Sequence, residues 1–415
     1  MERKRINCIY SALLLLLMAA CGTKPVDPDT PFVIEGELEN YGKAEYIQLI
    51  EWQDGEGGHG IAIDTLKNGK FRFEAKVNEF SDYMSLLVFS RSNKSIYVDG
   101  YSAYQRTIYV EPGAHIKVKG KNTHVSSWEV KSKVKLQKEY DAISLAGSDL
   151  RDKEEEMGIE YIRLLLKIDS IQELINKAED PEPLRAERSE LVNRSHVVFN
   201  QEDSLNNVNQ MKVIEQMRRV KPSHPWMKEL QTMSRMSLAR AGYPFKKEAM
   251  ELYNSLTADM KQSNLGMEIY ANLNPPQKVE VADVCPDPVF YDLQGKEHRI
   301  SEFRGKYVLL DFWSRGCRPC IQAFPYMKQL YEENQDKLAI ISISLDEEKH
   351  WRAASERYEI TWNNWNELKG RAGLYTNFRA NGIPFYVFID PDGKIIRHFA
   401  GFNTGYLSEL FGEEY

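Results

Sequence analysis

Cysteine is scarce in this sequence, and its scarcity argues against two classes of protein. Five cysteines occur among 415 residues, too few for a chain of this length to depend on disulfide staples. Cys317 and Cys320 are spaced as metal ligands can be, but neither a second cysteine pair nor a suitably spaced histidine pair completes a zinc site. We therefore expect no bound metal, and the sequence calls for no other cofactor.

Clustered positive charge is also missing. Lysine and arginine number 54 against 61 aspartates and glutamates, for a formal net charge of -7, and the basic residues are spread along the chain. Domains that bind nucleic acids usually show a basic patch or stripe. The sequence therefore gives no reason to expect nucleic acid as a partner.

The apolar run near the start of the chain is too short to span a bilayer comfortably. It covers Leu13–Ala20, follows the basic stretch MERKR and ends in small residues. This order of basic, apolar and small residues is typical of a secretory signal peptide. We predict one over residues 1–20, so that the mature protein is exported.

Cys21 directly follows the signal, and the stretch MAAC resembles the lipobox of bacterial lipoproteins. The resemblance implies cleavage before Cys21, acylation of this residue and anchoring in the lipid bilayer. Residues 21–31, rich in proline and aspartate, would form the lipidated tether. We expect the protein in the cell envelope, facing the periplasm, and Gly22 slightly favours the outer membrane. The alternative is a plain signal peptide with an incidental cysteine.

Three successive patterns follow, in keeping with the two or three domains expected from the length. Residues 32–125 hold short, often alternating apolar stretches, which predict an all-β, sandwich-like domain. Residues 126–273 place apolar residues at helical spacing, which predicts a helical region. Residues 274–415 alternate strand and helix patterns, which predicts an α/β domain. His59, in the glycine-rich stretch DGEGGHG, is expected in a loop.

The stretch DFWSRGCRPC, residues 311–320, contains the Cys-x-x-Cys pair. Cys317 follows a predicted strand and opens a predicted helix, where backbone N–H groups and the helix dipole favour the thiolate. The thiolate is the form that attacks disulfides. Cys320 lies about one helical turn further and can reach back to Cys317, while Pro319 suits the first turn of a helix.

Two other roles for the cysteine pair have to be weighed. A structural zinc site needs four ligands, and the sequence offers only the two cysteines. A purely structural disulfide would stabilise the protein little, because so short a loop removes little entropy from the unfolded chain. Arg315 and Arg318 flank Cys317 and add positive charge that favours its thiolate. Redox exchange is therefore the interpretation that the residues favour.

The stretches YVLLDFWSRGCRPC and NGIPFYVFID resemble the thioredoxin fold. The similarity is greatest to the membrane-anchored TlpA/ResA-like thiol–disulfide oxidoreductases of AhpC/TSA type, and it covers about the last third of the chain. The resemblance implies that Cys317 is the nucleophile, that Cys320 resolves the mixed disulfide, and that Pro384 is the cis-proline that docks substrate backbone. Within residues 32–125, the stretches NGKFRFEA and VEPGAHIKVKG resemble an uncharacterised β-domain found ahead of thioredoxin folds in bacterial lipoproteins.

Asp311 occupies the position of the buried acid of thioredoxin. Desolvation there would raise its pKa and make it a proton acceptor for Cys320. Ser342 stands where thioredoxin has a lysine near this acid, and Gly316 and Arg318 also depart from the family pattern. We expect Cys285 to be a small hydrophobic residue of the core.

The resemblance implies thiol–disulfide exchange with disulfide-containing substrate proteins, a role in cell redox homeostasis, and a membrane thiol electron donor for a reductase in the oxidising periplasm. The direction of exchange stays open. One alternative is an envelope binding or scaffold lipoprotein with an accessory thioredoxin-like domain. Another is a thiol peroxidase, suggested by Ser314, although Leu310 stands where the peroxidase motif has proline. Trp362 and Trp365 are expected to be packing residues.

Overall fold

The computed structural model describes residues 26–41, 45–53, 58–78, 81–89, 105–121, 128–380 and 382–402. The predicted signal peptide, Cys21 and the first part of the predicted tether lie outside the described residues. Within those residues, no helix combines the length and the apolar character needed to cross a membrane.

Two four-stranded sheets form the N-terminal domain. Its strands are β1 (Phe32–Leu38), β2 (Tyr46–Gln53), β3 (Gly58–Thr65), β4 (Lys70–Ala75), β5 (Ser81–Phe89), β6 (Arg106–Ile108), β7 (His115–Gly120) and β8 (Glu129–Lys131). One sheet has the order β4-β1-β7-β8 and the other the order β3-β2-β5-β6. All pairings are antiparallel except that of β1 with β7.

The alternation seen in the sequence explains the packing of this domain. Phe71 and Phe73 of β4 point inwards while their neighbours are exposed or half-buried. They pack in one apolar cluster with residues of the other sheet, among them Ile47 and Met84. Two sheets therefore share one core, and the predicted β-sheet-rich N-terminal region is confirmed.

Two details of this domain differ from the sequence prediction. Strand β8 pairs with β7 beyond residue 125, so the β-domain continues to Lys131. His59 was expected in a loop, but its backbone belongs to β3, opposite Glu51 of β2. The glycines around His59 suggested a loop because glycine is depleted in strands, yet the neighbouring strand provides pairing partners that override this local preference.

The middle of the chain is helical, as predicted. Its helices are α1 (Lys135–Ser144), α2 (Ser148–Ile175), α3 (Glu182–Arg219), α4 (His224–Ala239), α5 (Lys246–Asn254), α6 (Ala258–Gln262) and α7 (Asn264–Leu273). Helices α2 and α3 run side by side in opposite directions. This arrangement brings Asp149, near the start of α2, into an ion pair with Lys212, near the end of α3. The core of the region surrounds Trp226, whose indole N–H donates to the carbonyl oxygen of Met217.

The C-terminal domain is built on a seven-stranded sheet of order β10-β9-β13-β12-β11-β14-β15. Its strands are β9 (Phe290–Tyr291), β10 (Glu297–His298), β11 (Tyr307–Trp313), β12 (Leu338–Ser344), β13 (Asn363–Asn366), β14 (Phe385–Ile389) and β15 (Ile395–Ala400). Its helices are α8 (Arg318–Asn334), α9 (Glu348–Arg357) and α10 (Leu374–Asn377). Strands β11, β12 and β13 are parallel, and β14 and β15 are antiparallel to their neighbours.

This topology is the thioredoxin-like fold that the sequence resemblance implies. Strand β11 is buried along almost its whole length, as expected for the central strand of a sheet covered on both faces. Successive side chains alternate between the two faces. Leu309 and Trp313 lie on the face that α8 covers, whereas Val308 and Leu310 lie on the other. The carboxyl end of β11 leads directly into the cysteines.

Candidate active site

Cys317 and Cys320 are joined in a disulfide at the start of α8. Their side chains are only 2% and 1% exposed, and they belong to the apolar cluster between the sheet and α8. Access to the sulfur atoms is therefore limited to the surface at the N-terminal end of the helix. Such restricted access is suited to exchange with a docked partner.

The start of α8 sets the geometry of the pair. Cys317 caps the helix, and its Sγ accepts a hydrogen bond from the backbone N–H of Cys320 at 3.2 Å. Pro319 lies in the first turn, where the missing N–H is no loss. When the disulfide is reduced, the same N–H group and the helix dipole stabilise negative charge on Cys317. The local sequence thus builds a site for a thiolate.

Asp311 lies in β11 on the same face of the sheet as Leu309 and Trp313, and it is 1% exposed. Burial raises the pKa of its carboxyl group from 3.8 to about 7, and a hydrogen bond from Ser342 opposes the rise. The carboxyl group can therefore take up or release a proton near neutral pH. A buried group with such a pKa suits general acid–base chemistry.

A chain of hydrogen bonds holds Asp311 in place. Ser342, its cross-strand neighbour on β12, donates from Oγ to Oδ2 of Asp311 at 2.8 Å. The indole N–H of Trp362 donates to Oγ of Ser342, also at 2.8 Å. Ser342 was expected near Asp311, but the sequence analysis assigned Trp362 to packing alone. Trp362 is buried, as expected, and in addition it orients the hydroxyl group that contacts the acid.

The other oxygen of Asp311 is in a different environment. Oδ1 is buried and has no hydrogen-bond partner among the described residues. Tyr386 faces Asp311 from β14, and burial together with the negative charge of Asp311 raises the pKa of its phenol. Oδ1 is therefore the oxygen on which a proton can be placed without breaking a hydrogen bond. Tyr386 was not identified from the sequence, and only its strand register reveals it.

The turn between β11 and α8 is held by Asp346, which was also missed. Its buried carboxylate accepts hydrogen bonds from Ser314 Oγ at 3.0 Å, from the backbone N–H of Arg315 at 2.8 Å and from Ser344 Oγ at 3.2 Å. Arg315 Nε lies 4.0 Å from the same carboxylate. Part of the positive charge that the sequence assigned to Cys317 is thus balanced by Asp346, whereas Arg318 remains exposed. Ser314, the residue behind the peroxidase alternative, has its hydroxyl group bound to Asp346.

Pro384 directly precedes β14, and its peptide bond with Ile383 is cis. Its carbonyl oxygen accepts a hydrogen bond from the backbone N–H of Gly401 at 2.8 Å. The hydroxyl group of Tyr375 lies 3.2 Å from the carbonyl oxygens of both Ala380 and Gly382. These contacts fix the loop before Pro384. The cis bond is the one that the resemblance implies at this position.

The remaining predicted residues lie apart from the disulfide. Cys285 is a free thiol within the cluster on the opposite face of the sheet, and burial raises its pKa to about 12. Such a thiol is unreactive at neutral pH. Trp365 packs against Phe290, His298 and Phe303. Among the described residues, no group of three or more His, Cys, Asp or Glu side chains is placed to hold a metal ion.

Comparison with known proteins places this site in context. The model of the AhpC/TSA family matches residues 281–410. The thiol–disulfide oxidoreductase ResA of Geobacillus thermodenitrificans is 32% identical over 143 residues, which cover 34% of this chain and 81% of that protein. The thioredoxin-like protein YneN of Bacillus subtilis is 29% identical over 121 residues, or 28% of this chain and 69% of YneN.

One solved structure is also similar in sequence over this region. The thioredoxin domain of a thiol–disulfide oxidoreductase from Bacteroides vulgatus is 28% identical, covers 33% of this chain and 100% of that domain, and superposes with a TM-score of 0.30. The match to the family model, over residues 281–410, includes the cysteines, Asp311 and Pro384. The residues before 281 lie outside the family model.

Proposed function

Since this chain belongs to the ResA-like thiol–disulfide oxidoreductases, we propose that it exchanges the Cys317–Cys320 disulfide with substrate proteins while anchored by lipid to a membrane facing the periplasm. The observation that carries this proposal is the disulfide at the start of α8, on the same face of the sheet as a buried carboxyl group with a pKa of about 7. Nucleophile, resolving thiol and proton acceptor are then all present in one domain.

The reductive half of the exchange begins from the dithiol. The thiolate of Cys317 attacks one sulfur of the substrate disulfide, which breaks that bond, forms a mixed disulfide and releases the first substrate cysteine as a thiolate. The sulfur of Cys320 then attacks Cys317. The mixed disulfide breaks, the second substrate cysteine is released, and the Cys317–Cys320 disulfide forms. Two electrons have moved from the protein to the substrate.

Asp311 and Pro384 have separate roles in these steps. Cys320 must lose its proton before it attacks, and the carboxylate of Asp311 accepts that proton because its pKa lies near the ambient pH. The proton then passes to the departing substrate thiolate or to water. Pro384, at the end of the loop fixed by Tyr375, presents the substrate backbone to Cys317. All steps are reversible, so the same site can oxidise a substrate dithiol.

A reductase of this kind needs a continuing source of two electrons. The bacterial periplasm is kept oxidising, so a membrane thiol electron donor must reduce Cys317–Cys320 after each cycle. Restricted exposure of the two cysteines limits their reaction with other oxidised thiols. The proposed donor therefore approaches by the same surface as the substrate.

Anchoring and export are proposed from the residues before the described region. The order of basic, apolar and small residues in 1–20 supports a signal peptide, and the stretch that ends in Cys21 supports acylation there. Each buried CH₂ group of an acyl chain adds about 0.8 kcal/mol of membrane binding, so several chains anchor a protein firmly. The absence of an Asp at position 22 slightly favours the outer membrane.

The equilibrium reduction potential of Cys317–Cys320 tests the proposal first. A value near or below about -270 mV, that of thioredoxin, indicates a reductase, and a value near about -120 mV indicates an oxidant or isomerase. Cys285→Ala is the matched control, because its thiol is buried on the other face and its loss leaves the potential unchanged. A protein without a reversible two-electron couple at this pair does not perform the proposed exchange.

A further inference from the structure

A cleft of about 1020 Å³ lies between the three domains. Its wall includes residues of β2, β5 and β6, of helices α1, α4 and α7, and of the segment from Arg371 to Ile383 in the C-terminal domain. Sites for drug-sized ligands usually measure about 300–1,000 Å³, so this cleft is at or above the upper end. Its size suits a segment of polypeptide rather than a single small disulfide.

The cleft extends to the loop before Pro384, close to the redox site. Gly382 and Ile383 line the cleft and directly precede this proline. Ile383 also packs against the apolar cluster that contains Cys317 and Cys320. A chain bound in the cleft is therefore held next to the residues that the exchange reaction uses.

Cationic side chains outnumber carboxylates in the wall of the cleft. The cationic residues are Lys228, Arg235, Lys278, Arg371 and Arg379, and the carboxylates are Glu229 and Glu268. Glu268 already accepts hydrogen bonds from Gln231 and Arg235, each at 2.9 Å. Glu229 accepts a hydrogen bond from Gln210 at 3.2 Å, and burial raises the pKa of its carboxyl group. The wall therefore favours a ligand of net negative charge.

Arg379 is in this wall although both its backbone conformation and the burial of its charged group are unfavourable. Its φ of 53° lies in the left-handed region, which residues other than glycine rarely adopt. Burial lowers the pKa of its guanidinium group, which donates hydrogen bonds to the carbonyl oxygens of Thr376 and Pro276. Both of these partners are neutral. A carboxylate on a ligand would add the opposite charge.

The β-domain contributes an aromatic wall. Trp52 and Tyr83 stack with ring centroids 5.9 Å apart and an interplanar angle of 17°. The indole N–H of Trp52 donates to Ser85 Oγ at 2.8 Å, which fixes the orientation of the ring. Tyr140 of α1 lines the same cleft. Half-buried aromatic rings of this kind suit contact with apolar side chains of a peptide.

We propose that this cleft binds an acidic, extended segment of the substrate protein next to the disulfide that reacts. The inference rests on the proposed function, because the cleft has this role only if Cys317–Cys320 exchanges with protein disulfides. The β-domain and the helical region then select the substrate, and the thioredoxin-like domain performs the chemistry.

A pair of matched peptides tests the inference. Both have the same length and the same internal disulfide, but one carries glutamate and the other glutamine beside it. The full chain, reduced beforehand, should show a kcat/KM about tenfold higher for the acidic peptide, since a few partly screened ion pairs together give a factor of this size. The preference should decrease at high salt, because salt screens these charges.

Charge-removing variants locate the preference. Lys228→Gln combined with Arg371→Gln should reduce it to about twofold or less, because two of the five cationic side chains are lost. Lys247→Gln combined with Arg194→Gln removes the same amount of charge from exposed surfaces outside the cleft. This control protein should keep the preference for the acidic peptide. The ratio of the two rates is the measurement, so a general loss of activity does not imitate the effect.

Three outcomes separate this inference from the proposed function. Equal reduction of both peptides by the wild-type chain overturns the cleft as an acidic-peptide site and leaves the exchange reaction intact. An acidic preference that survives in the cleft variants places recognition elsewhere and also overturns the inference, whatever the control variants show. A wild-type chain that reduces neither peptide, nor a small neutral disulfide, overturns both proposals.

Discussion

At the scale of single residues, the buried carboxyl group of Asp311 links folding to catalysis. The folded protein raises its pKa from 3.8 to about 7, so the folded state binds this proton more tightly than the unfolded state. Stability therefore falls as the pH rises from about 4 to about 7, where the folded group loses its proton. The ionised carboxylate, which we propose as the acceptor of the proton of Cys320, is the form that destabilises the fold.

Replacing this carboxyl group removes the linkage. Asp311→Asn should be more stable than the wild type at pH 8, by up to about 4 kcal/mol for a shift of about three pKa units. The difference should shrink towards pH 4, where both side chains are neutral. Denaturant unfolding of the oxidised proteins across this pH range measures it. Asp336→Asn, at an exposed position of the same domain, is the control, and a difference that is constant with pH would contradict the assignment.

Ser342 gives a second prediction at this scale. Its hydrogen bond lowers the pKa of Asp311, so Ser342→Ala should raise that pKa further, by up to about one unit. The pH at which Cys320 resolves the mixed disulfide at half its maximal rate should rise accordingly. Rapid-mixing measurement of substrate thiol release as a function of pH reports this midpoint.

Two variants separate orientation from simple loss of packing. Trp362→Phe keeps an aromatic ring but removes the N–H that orients Ser342, so it should shift the midpoint in the same direction by a smaller amount. Ser234→Ala removes a buried hydroxyl group in the helical region and should leave the midpoint unchanged. A Ser342→Ala protein with the wild-type pH profile would remove Ser342 from the mechanism.

At the scale of elements, the turn between β11 and α8 depends on the end of the neighbouring strand. Asp346 follows β12 and accepts hydrogen bonds from Ser314 and from the backbone of Arg315. Because β11 and β12 are parallel, their carboxyl ends meet at the same edge of the sheet. The turn that carries Cys317 is therefore fixed by a residue about 30 positions later in the chain.

Removing this carboxylate should loosen the turn. Asp346→Ala leaves buried donors without an acceptor, at about 1–3 kcal/mol for each, and we expect a loss of about 2–4 kcal/mol in the free energy of unfolding. Denaturant unfolding measures this loss. Asp203→Ala removes an aspartate paired with Arg240 at the surface of the helical region and should cost only about 0–1 kcal/mol. Equal losses in both variants would show that Asp346 has no special role in the turn.

At the scale of the whole molecule, the thioredoxin-like domain makes up about one third of the chain. The segment that follows the last helix of the helical region is held to the C-terminal domain, since Arg379 and Asn377 donate to the carbonyl oxygens of Pro276 and Gln277. The β-domain contacts the helical region through Arg106, whose guanidinium group pairs with Asp141 at 2.7 Å. The interdomain cleft is lined by residues of all three parts, so it depends on how they pack together.

The proposed lipid anchor also belongs to this scale. Cys21→Ser removes the thiol that acylation requires, so the protein should move from the membrane fraction to the soluble fraction of the cell envelope. Cell fractionation and labelling with a lipid precursor measure the change. Cys285→Ala removes a buried thiol and should leave the distribution unchanged. A Cys21→Ser protein that remains in the membrane fraction would show that another segment anchors the chain.

Much of the fold and part of the site were predictable from short stretches of the sequence. Helical spacing predicted the middle region, and alternation predicted most of the β-domain. Asp311, Cys317 and Cys320 lie within one strand, the turn after it and the first turn of a helix, so local pattern predicted the cysteine pair and the resemblance to thioredoxin marked Asp311. Strand β3 was missed because its glycine-rich start weakens the local pattern while pairing with β2 stabilises it.

The sequence by itself thus determined the order of the domains, the Cys-x-x-Cys pair at a helix start and the position of Asp311, because each depends on residues close together in the chain. Only the tertiary structure decided that Trp362 orients Ser342, that Tyr386 faces Asp311 and that Asp346 binds the turn before Cys317. These contacts join side chains from different strands, whose register depends on burial of the whole sheet. The cleft likewise required packing between domains, which no short segment of sequence encodes.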